Sequence, residues 1–189
     1  MHVRTIDRHE HGDYDTEGTA GAGKSTYCRA MRDFLESLGR PCAIINMDPG
    51  NELFPYECDV DVMELVSMAE VMKTMGLGPN GALVFCMEYI EANIEWLRQK
   101  VAGLHGKYLL FDFPGQIELY VMHDSCKNIC RTIVDDWNIR LVAVNMLDSI
   151  HARTASHYIT ALCVTLSTML HIALPHINLL TKFGRLSSS

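Results

Sequence analysis

Apolar residues follow two patterns that alternate along this chain, a helical period near 3.6 residues and short continuous runs. Helical periods predict amphipathic helices, and short apolar runs predict buried strands. The predicted helices cover residues 24–38, 61–75, 82–101, 117–134 and 158–171. The predicted strands cover residues 42–47, 107–112, 140–147 and 176–180. This alternation predicts an α/β fold with a mostly parallel sheet and helices on both of its faces.

A glycine-rich segment precedes the first predicted helix. Residues 18–26 read GTAGAGKST and fit the phosphate-binding loop G-x-x-x-x-G-K-[ST]. In such a P-loop, the backbone N–H groups and the helix N-terminus point at a phosphate. Lys24 would reach the β- and γ-phosphates, and the Ser25 hydroxyl would ligate Mg²⁺. The alternative is a glycine-rich turn that caps a helix. The predicted nucleotide-binding residues here are Gly21, Ala22, Gly23, Lys24, Ser25 and Thr26.

Two predicted strands end at carboxylates. Asp48 follows the run at 42–47, and Asp112 closes the run at 107–112. Ligands of parallel sheets collect at the carboxyl ends of strands, so Asp48 is a candidate catalytic or Mg²⁺-linked carboxylate. Its alternative is a turn residue before proline. Asp112 is predicted to hold Mg²⁺ directly or through water. Gly115 can bring its N–H to the γ-phosphate, and Gln116 can make a nearby polar contact.

The first 17 residues do not fit this scheme. A P-loop normally follows a buried apolar strand, but the residues before Gly18 are polar and acidic. We therefore expect residues 1–17 to be a disordered polar tail. Either the usual strand is missing, or the N-terminal residues come from another reading of the gene.

Composition narrows the range of functions. The length of 189 residues suits one domain, and 16 basic against 23 acidic residues give a net charge of −7. This charge argues against direct nucleic-acid binding. The seven cysteines show no paired C-x-x-C spacing and are predicted to be reduced core thiols of an intracellular protein. No apolar run reaches the ~18 residues of a membrane span, so no membrane association is expected.

Four motifs in order resemble the GPN-loop GTPase family, most closely the second of its three eukaryotic paralogues. They are NMDPGN at 46–51, GPN at 78–80, DFPGQ at 112–116 and LPHINLLTK at 174–182. The tripeptide alone would carry no information, but the ordered set is specific. The resemblance covers the chain from Gly18 to Lys182.

The resemblance implies a dimeric enzyme that hydrolyses GTP with Mg²⁺. Gly78 and Pro79 would shape a loop that reaches the partner's nucleotide, and Asn80 would stabilise the transferring phosphate. An amide can donate to a phosphoryl oxygen without adding a full charge. Catalysis would thus involve Asn80, Asp48 and Gln116, and the metal would be held by Ser25 and Asp112.

The family also implies partners and a location. The partner subunit would be a second copy or another GPN-loop GTPase. RNA polymerase II subunits or assembly factors would be the partner class, because eukaryotic relatives help to assemble that enzyme and bring it to the nucleus. The expected location is the cytoplasm, with shuttling to the nucleus.

The chain departs from the family at the guanine-reading [ST]-K-x-D motif. Thr181 and Lys182 fit, but Gly184 replaces the aspartate, whose loss could remove ~1–3 kcal/mol of base discrimination. We therefore describe residues 18–184 as an incomplete P-loop GTPase domain with a GPN-loop insertion at 54–102, and residues 185–189 as a polar end. Two alternatives to a GTPase remain at this stage: a truncated, non-catalytic binding or dimerising module, and a small-molecule P-loop kinase.

Overall fold

The strands of the protein form one six-stranded sheet. The structure is a computed structural model, and it describes residues 2–7, 23–51, 55–152 and 154–182. The strands are β1 (His2–Asp7), β2 (Cys42–Asn46), β3 (Val60–Asp61), β4 (Tyr108–Asp112), β5 (Leu141–Asp148) and β6 (His176–Thr181). Their order is β3-β2-β4-β1-β5-β6, and every pairing among the described strands is parallel. The predicted α/β fold is confirmed.

Helices connect the strands and start or end close to the predicted positions. They are α1 (Lys24–Ser37), α2 (Met68–Met75), α3 (Pro79–Ala92), α4 (Ile94–Ala102), α5 (Glu118–Val121), α6 (Ser125–Asp135) and α7 (Ala155–Ile172). Within the described part of the chain, none of these helices has the length and apolar character needed to cross a bilayer.

The sheet is covered on both faces, as the alternation of side chains along β2 shows. Cys42 and Ile44 pack with Cys28 and Leu35 of α1 on one face. Ala43 and Ile45, which point the opposite way, belong to a larger cluster that includes buried residues of α3, α4 and α6. The predicted arrangement with helices on both faces is therefore correct.

The expectation of a disordered tail over residues 1–17 is wrong for His2–Asp7. These residues form β1, which pairs in parallel with β4 on one side and with β5 on the other. Val3, Thr5 and Ile6 are β-branched and favour a strand. Because β1 is central in the sheet, its backbone N–H and C=O groups form hydrogen bonds with a neighbouring strand on each side. The strand that seemed to be missing before the P-loop is thus present, and residues 8–17 lie outside the described residues.

Three predicted helices are interrupted, and the one predicted at 117–134 is divided into α5 and α6. Residues 61–75 were expected to be one helix, but β3 ends at Asp61, a 3-10 turn spans Val62–Glu64, and α2 begins at Met68. The Asp61 carboxylate accepts from the N–H of Met63 and so caps the turn. The helix predicted at 82–101 is divided at Asn93, whose side-chain amide donates to the Tyr89 carbonyl. This side-chain bond offers the backbone an alternative to continued helix.

Candidate functional site

Because all described strands run in parallel, their carboxyl ends lie along one edge of the sheet. β2 leads to Asp48 two residues after its end, while β4, β5 and β6 end at Asp112, Asp148 and Thr181. The register places Asn46 opposite Asp112 and Asp148 opposite Thr181. The N–H of Met47 also donates to the Asp112 carbonyl at 2.8 Å. The structure thus brings the predicted strand-end residues to one edge.

Helix α1 begins with the last residues of the P-loop motif. Gly23 is its N-cap and has φ of 96°, in the left-handed region that favours glycine. Lys24 and Ser25 are half-buried in the first helical turn, where backbone N–H groups have no partner within the helix. The other predicted phosphate-binding residues are the exposed Thr26 and, outside the described residues, Gly21 and Ala22.

The first turn of α1 contacts the end of β4 through a hydrogen bond. Ser25 Oγ donates to Asp112 Oδ2 at 2.9 Å, although the two residues are 87 positions apart in sequence. Tyr56 Oη donates to the same carboxylate oxygen at 2.7 Å. Asp112 is only 1% exposed, and its Oδ1 has no hydrogen-bond partner among the residues that the structure describes. Ser25 and Asp112, predicted as metal ligands, are therefore in direct contact.

Tyr56 was not singled out in the sequence, because a lone tyrosine in a polar segment has no distinguishing pattern. It is 7% exposed and packs with Cys28, Ile44 and Leu110. Burial raises the pKa of its phenol well above the usual value, and the neighbouring Asp112 carboxylate raises it further. The Tyr56 hydroxyl consequently keeps its proton and acts as the donor to Asp112.

The residues at this position fit a magnesium ion. Hydroxyl and carboxylate oxygens are the ligands that Mg²⁺ prefers, and the buried Oδ1 of Asp112 would gain a partner from an ion or its water. Across the described ranges there is no group of three or more His, Cys, Asp or Glu side chains placed to hold a metal. This agrees with Mg²⁺ chemistry, because that ion commonly takes one or two protein ligands and completes its shell with water and substrate phosphates.

The loop after β2 is held in a defined turn. Asp48 Oδ1 accepts from the N–H of Gly50 at 3.0 Å, which is the turn role considered for this residue. The buried Asn46 donates to the Asp48 carbonyl at 3.1 Å and to Asp61 Oδ1 at 2.9 Å. Asn46 therefore joins the loop at Asp48 to the start of the insertion. The loop that carries Asp48 lies at the carboxyl edge of the sheet, next to β4, which carries Asp112.

The segment after Asp112 is also fixed. Phe113, Pro114 and Gly115 are buried, and the Tyr120 hydroxyl donates to the Pro114 carbonyl. Gln116 follows directly and is half-buried. Gly115 and Gln116 therefore follow the candidate metal ligand closely in the chain, and their roles beside the phosphate stay predictions.

The Gly-Pro-Asn tripeptide is at the start of α3. Gly78 is the N-cap, Pro79 occupies the first helical turn, and Asn80 follows it. All three residues are exposed. The structure shows no hydrogen bond between Asn80 and the described residues of the strand-end site. The role of Asn80 in a partner's site therefore stays a prediction.

The predicted base-binding residues, Thr181 and Lys182, lie at the end of β6 on the same edge, beside the end of β5. Lys182 Nζ forms an ion pair with Asp148 Oδ2 at 2.8 Å, with side chains 22% and 18% exposed. Ser149 Oγ donates to the Lys182 carbonyl at 3.0 Å. The end of β6 is thus attached to the end of β5 through Lys182. Gly184 lies outside the described residues.

A cavity of about 400 Å³ lies away from this edge. Its lining includes Leu104, Leu109, Trp137 and Ile139, which are near the starts of β4 and β5. Since ligands of parallel sheets bind at the carboxyl ends, this cavity is not part of the candidate site.

Comparison with known proteins identifies the family. A family model described as a conserved hypothetical ATP binding protein matches residues 17–189. GPN-loop GTPase 2 of Danio rerio is 51% identical over 165 residues, which are 87% of this chain and 53% of the relative. The chain belongs to the GPN-loop GTPase family. GPN-loop GTPase QQT1 of Arabidopsis thaliana is 48% identical over 172 residues, or 90% of this chain and 58% of that protein.

A solved structure of a GTPase supports the same fold. The apo form of a GTPase from Pyrococcus abyssi matches with a TM-score of 0.79 and 26% sequence identity. The match covers 99% of this chain and 69% of that one. The predicted GPN-loop GTPase family and P-loop fold are thus confirmed. The chain spans about half the length of the curated relatives it matches.

Proposed function

We propose that this chain binds GTP together with Mg²⁺ and hydrolyses it. The observation that carries the proposal is the contact between Ser25, in the first turn of α1, and the buried Asp112 at the end of β4. This pairing joins the phosphate-binding helix to a strand-end carboxylate in a chain of the GPN-loop GTPase family. The names of the relatives specify GTP, whereas the description of the family model mentions ATP. Nucleotide selectivity is therefore the property to test first.

The residues of the site divide the work of binding and catalysis. Lys24 contacts the phosphates, and the first-turn N–H groups of α1 donate hydrogen bonds to the phosphate oxygens. Ser25 and Asp112 would hold Mg²⁺, which would supply positive charge to neutralise the phosphates. Asp48 and Gln116 position water and polar groups beside the phosphates, while Thr181 and Lys182 contact the base.

Asn80 acts across a dimer interface. By resemblance to the family, its amide donates to the transferring phosphate in the partner's site, and the exposure of Asn80 at the first turn of α3 leaves it accessible to a partner. The partner is a second copy of this chain or another GPN-loop GTPase. Gly78 and Pro79 fix the direction of the loop, since the proline suits the first helical position.

In the cell, the protein takes part in RNA polymerase II assembly and nuclear import. This proposal rests on family membership, and it places the protein in the cytoplasm with shuttling to the nucleus. The polymerase subunits or their assembly factors are the partners. The net charge of −7 favours protein partners over direct contact with nucleic acid.

A non-catalytic binding or dimerising module is the second candidate. Gly184 stands where the family carries the guanine-reading aspartate. The absence of that carboxylate favours weaker discrimination between guanine and other bases. The third possibility from the sequence, a small-molecule kinase, is disfavoured by membership of the GPN-loop GTPase family. Hydrolysis measurements separate the first two candidates.

Phosphate release from GTP by the purified chain tests the proposal. Asn80→Ala is expected to retain GTP binding and to lower the hydrolysis rate by ~100-fold, as the loss of one transition-state donor does elsewhere. Asn93→Ala, at the other end of α3, removes only a local bond to the Tyr89 carbonyl and serves as the matched control. Asn80→Ala hydrolysing at the wild-type rate would show that the loop has no catalytic role. GTP binding without any hydrolysis by the wild type would favour the binding module.

A further inference from the structure

Tyr56 contacts the candidate metal site but has no part in the function proposed so far. Its hydroxyl donates to Asp112 Oδ2 at 2.7 Å, the same oxygen that accepts from Ser25 at 2.9 Å. Asp112 Oδ1 is buried and has no hydrogen-bond partner in the described part of the chain. The two oxygens of one carboxylate are therefore in different environments.

This asymmetry matters once an ion is bound. A hydroxyl ligates a metal ion through an oxygen lone pair and keeps its proton, so Ser25 can hold the ion and still donate to Asp112 Oδ2. Among the described residues, Tyr56 is a second donor to that oxygen, and its hydroxyl takes no part in holding the ion. A charge-assisted bond of this kind fixes the rotation of the carboxylate, which leaves Oδ1 as the oxygen available to the ion or to its water.

We propose that Tyr56 is a positioning residue of the Mg²⁺ site, which orients the Asp112 carboxylate through its hydroxyl. The proposal rests on the proposed function and adds to it a residue from outside the P-loop and the strand ends. The ring of Tyr56 lies in the apolar cluster formed by α1, β2 and β4, and this packing holds its hydroxyl beside Asp112.

The segment that carries Tyr56 is itself attached to two neighbouring elements. Arg32 of α1 donates to the Glu57 carbonyl at 2.7 Å. Asp59 Oδ2 accepts from the Ile44 N–H at 3.0 Å, and the Asp59 N–H donates to the Ile44 carbonyl at 2.9 Å. Tyr56 is thus held between α1 and β2, and small shifts of its hydroxyl are restricted.

The competing explanation is that Tyr56 has a purely structural role. A second tyrosine at the same cluster provides a control that distinguishes this role from the positioning of Asp112. Tyr108 packs against the same cluster, and its hydroxyl accepts from Arg40 at 3.2 Å near the start of β4. Tyr56→Phe and Tyr108→Phe therefore remove the same atom from the same cluster. Only the first variant loses a bond to Asp112.

The test is a Mg²⁺ titration of fluorescent GTP binding to the purified full chain. For Tyr56→Phe we expect the Mg²⁺ concentration at half-effect to rise by ~10-fold, with binding in EDTA unchanged. For Tyr108→Phe we expect the wild-type titration curve. Equal curves for wild type and Tyr56→Phe would overturn the inference and leave the proposed function intact. Loss of Mg²⁺-dependent binding in the wild type itself would overturn both.

A second measurement covers the case in which Tyr56→Phe fails to fold. 3-Fluorotyrosine placed at position 56 keeps the ring and the hydroxyl, so its ¹⁹F resonance reports on the environment of that hydroxyl. We expect the resonance to shift when Mg²⁺ is added to the GTP-bound chain and not when it is added without nucleotide. An unchanged resonance on Mg²⁺ addition to the GTP complex would contradict the inference.

Discussion

Ile90 provides a stringent test of how the helix that begins with the Gly-Pro-Asn tripeptide is held in place. Its side chain is 0% exposed on α3 and belongs to the large cluster under the sheet. Ile90→Ala removes three carbon atoms, which at ~0.8 kcal/mol for each buried methylene gives a transfer loss of ~2.4 kcal/mol. The cavity left behind raises the expected loss of unfolding free energy to ~2.5–5 kcal/mol.

Urea unfolding followed by circular dichroism at 222 nm measures this loss. Ile159→Ala is the matched control, because the same atoms leave a helical residue of α7 that is 59% exposed. We expect the control to change stability by no more than ~0.5 kcal/mol. A loss below ~1 kcal/mol for Ile90→Ala would refute the packing of α3, and with it the account of how Asn80 is positioned.

Two further predictions concern a charged pair and the thiols. Lys182→Ala is expected to weaken fluorescent GTP binding by ~10-fold, because the ion pair with Asp148 holds the base side of the site. As the control, Lys107→Ala removes a more exposed ion pair with Asp59 and should leave GTP affinity unchanged. Equal losses of affinity in the two variants would contradict the assignment of Lys182 to the base side. Burial raises the pKa of Cys42 to about 11, so at pH 8 this thiol stays protonated and unreactive, whereas Cys163 is exposed. A short iodoacetamide pulse read by peptide mass spectrometry should therefore modify Cys163 at least ~10-fold faster, and comparable rates would contradict the burial of Cys42.

Much of the fold could be predicted because its strands are buried on both faces. The runs that became β2, β4, β5 and β6 are nearly continuous apolar segments, and such runs stand out from helical periods. The ends of two of these runs then located Asp48 and Asp112 at one edge, whereas Thr181 was identified through the family's guanine-reading motif. For these strands, the apolar pattern of the sequence matches their buried position in the sheet, so they could be predicted from the sequence alone.

The features that the sequence did not show depend on contacts between distant residues. β1 is a strand because β4 and β5 pair with it on both sides, whereas its own residues are mixed in polarity. Asp61 lies in a strand because β3 pairs with β2, where Asn46, 15 positions earlier, is its partner. Tyr56 joins the site through its hydrogen bond to Asp112, 56 positions later. Periodicity within a short window contains no information about such partners.

The same distinction applies to the candidate site. Motif spacing identified Lys24 and Ser25, since the P-loop motif carries those residue types at fixed positions. The end of the apolar run at 107–112 identified Asp112. The residues that orient them follow no motif, because any buried donor at the right distance can do so. The roles of Asn80 and Gln116 remain predictions, and the variants above address the first of them.

Mg²⁺-dependent GTP binding to the purified chain, with ATP and GDP as competitors, tests the central claim most directly. We expect GTP binding that strengthens with Mg²⁺, is displaced by GDP but not by ATP, and is lost in Lys24→Ala. Such a result would mean that base discrimination persists although Gly184 replaces the family's aspartate. A folded chain that binds no GTP would contradict the account. Bound GTP that ATP displaces as readily as GDP does would contradict it as well.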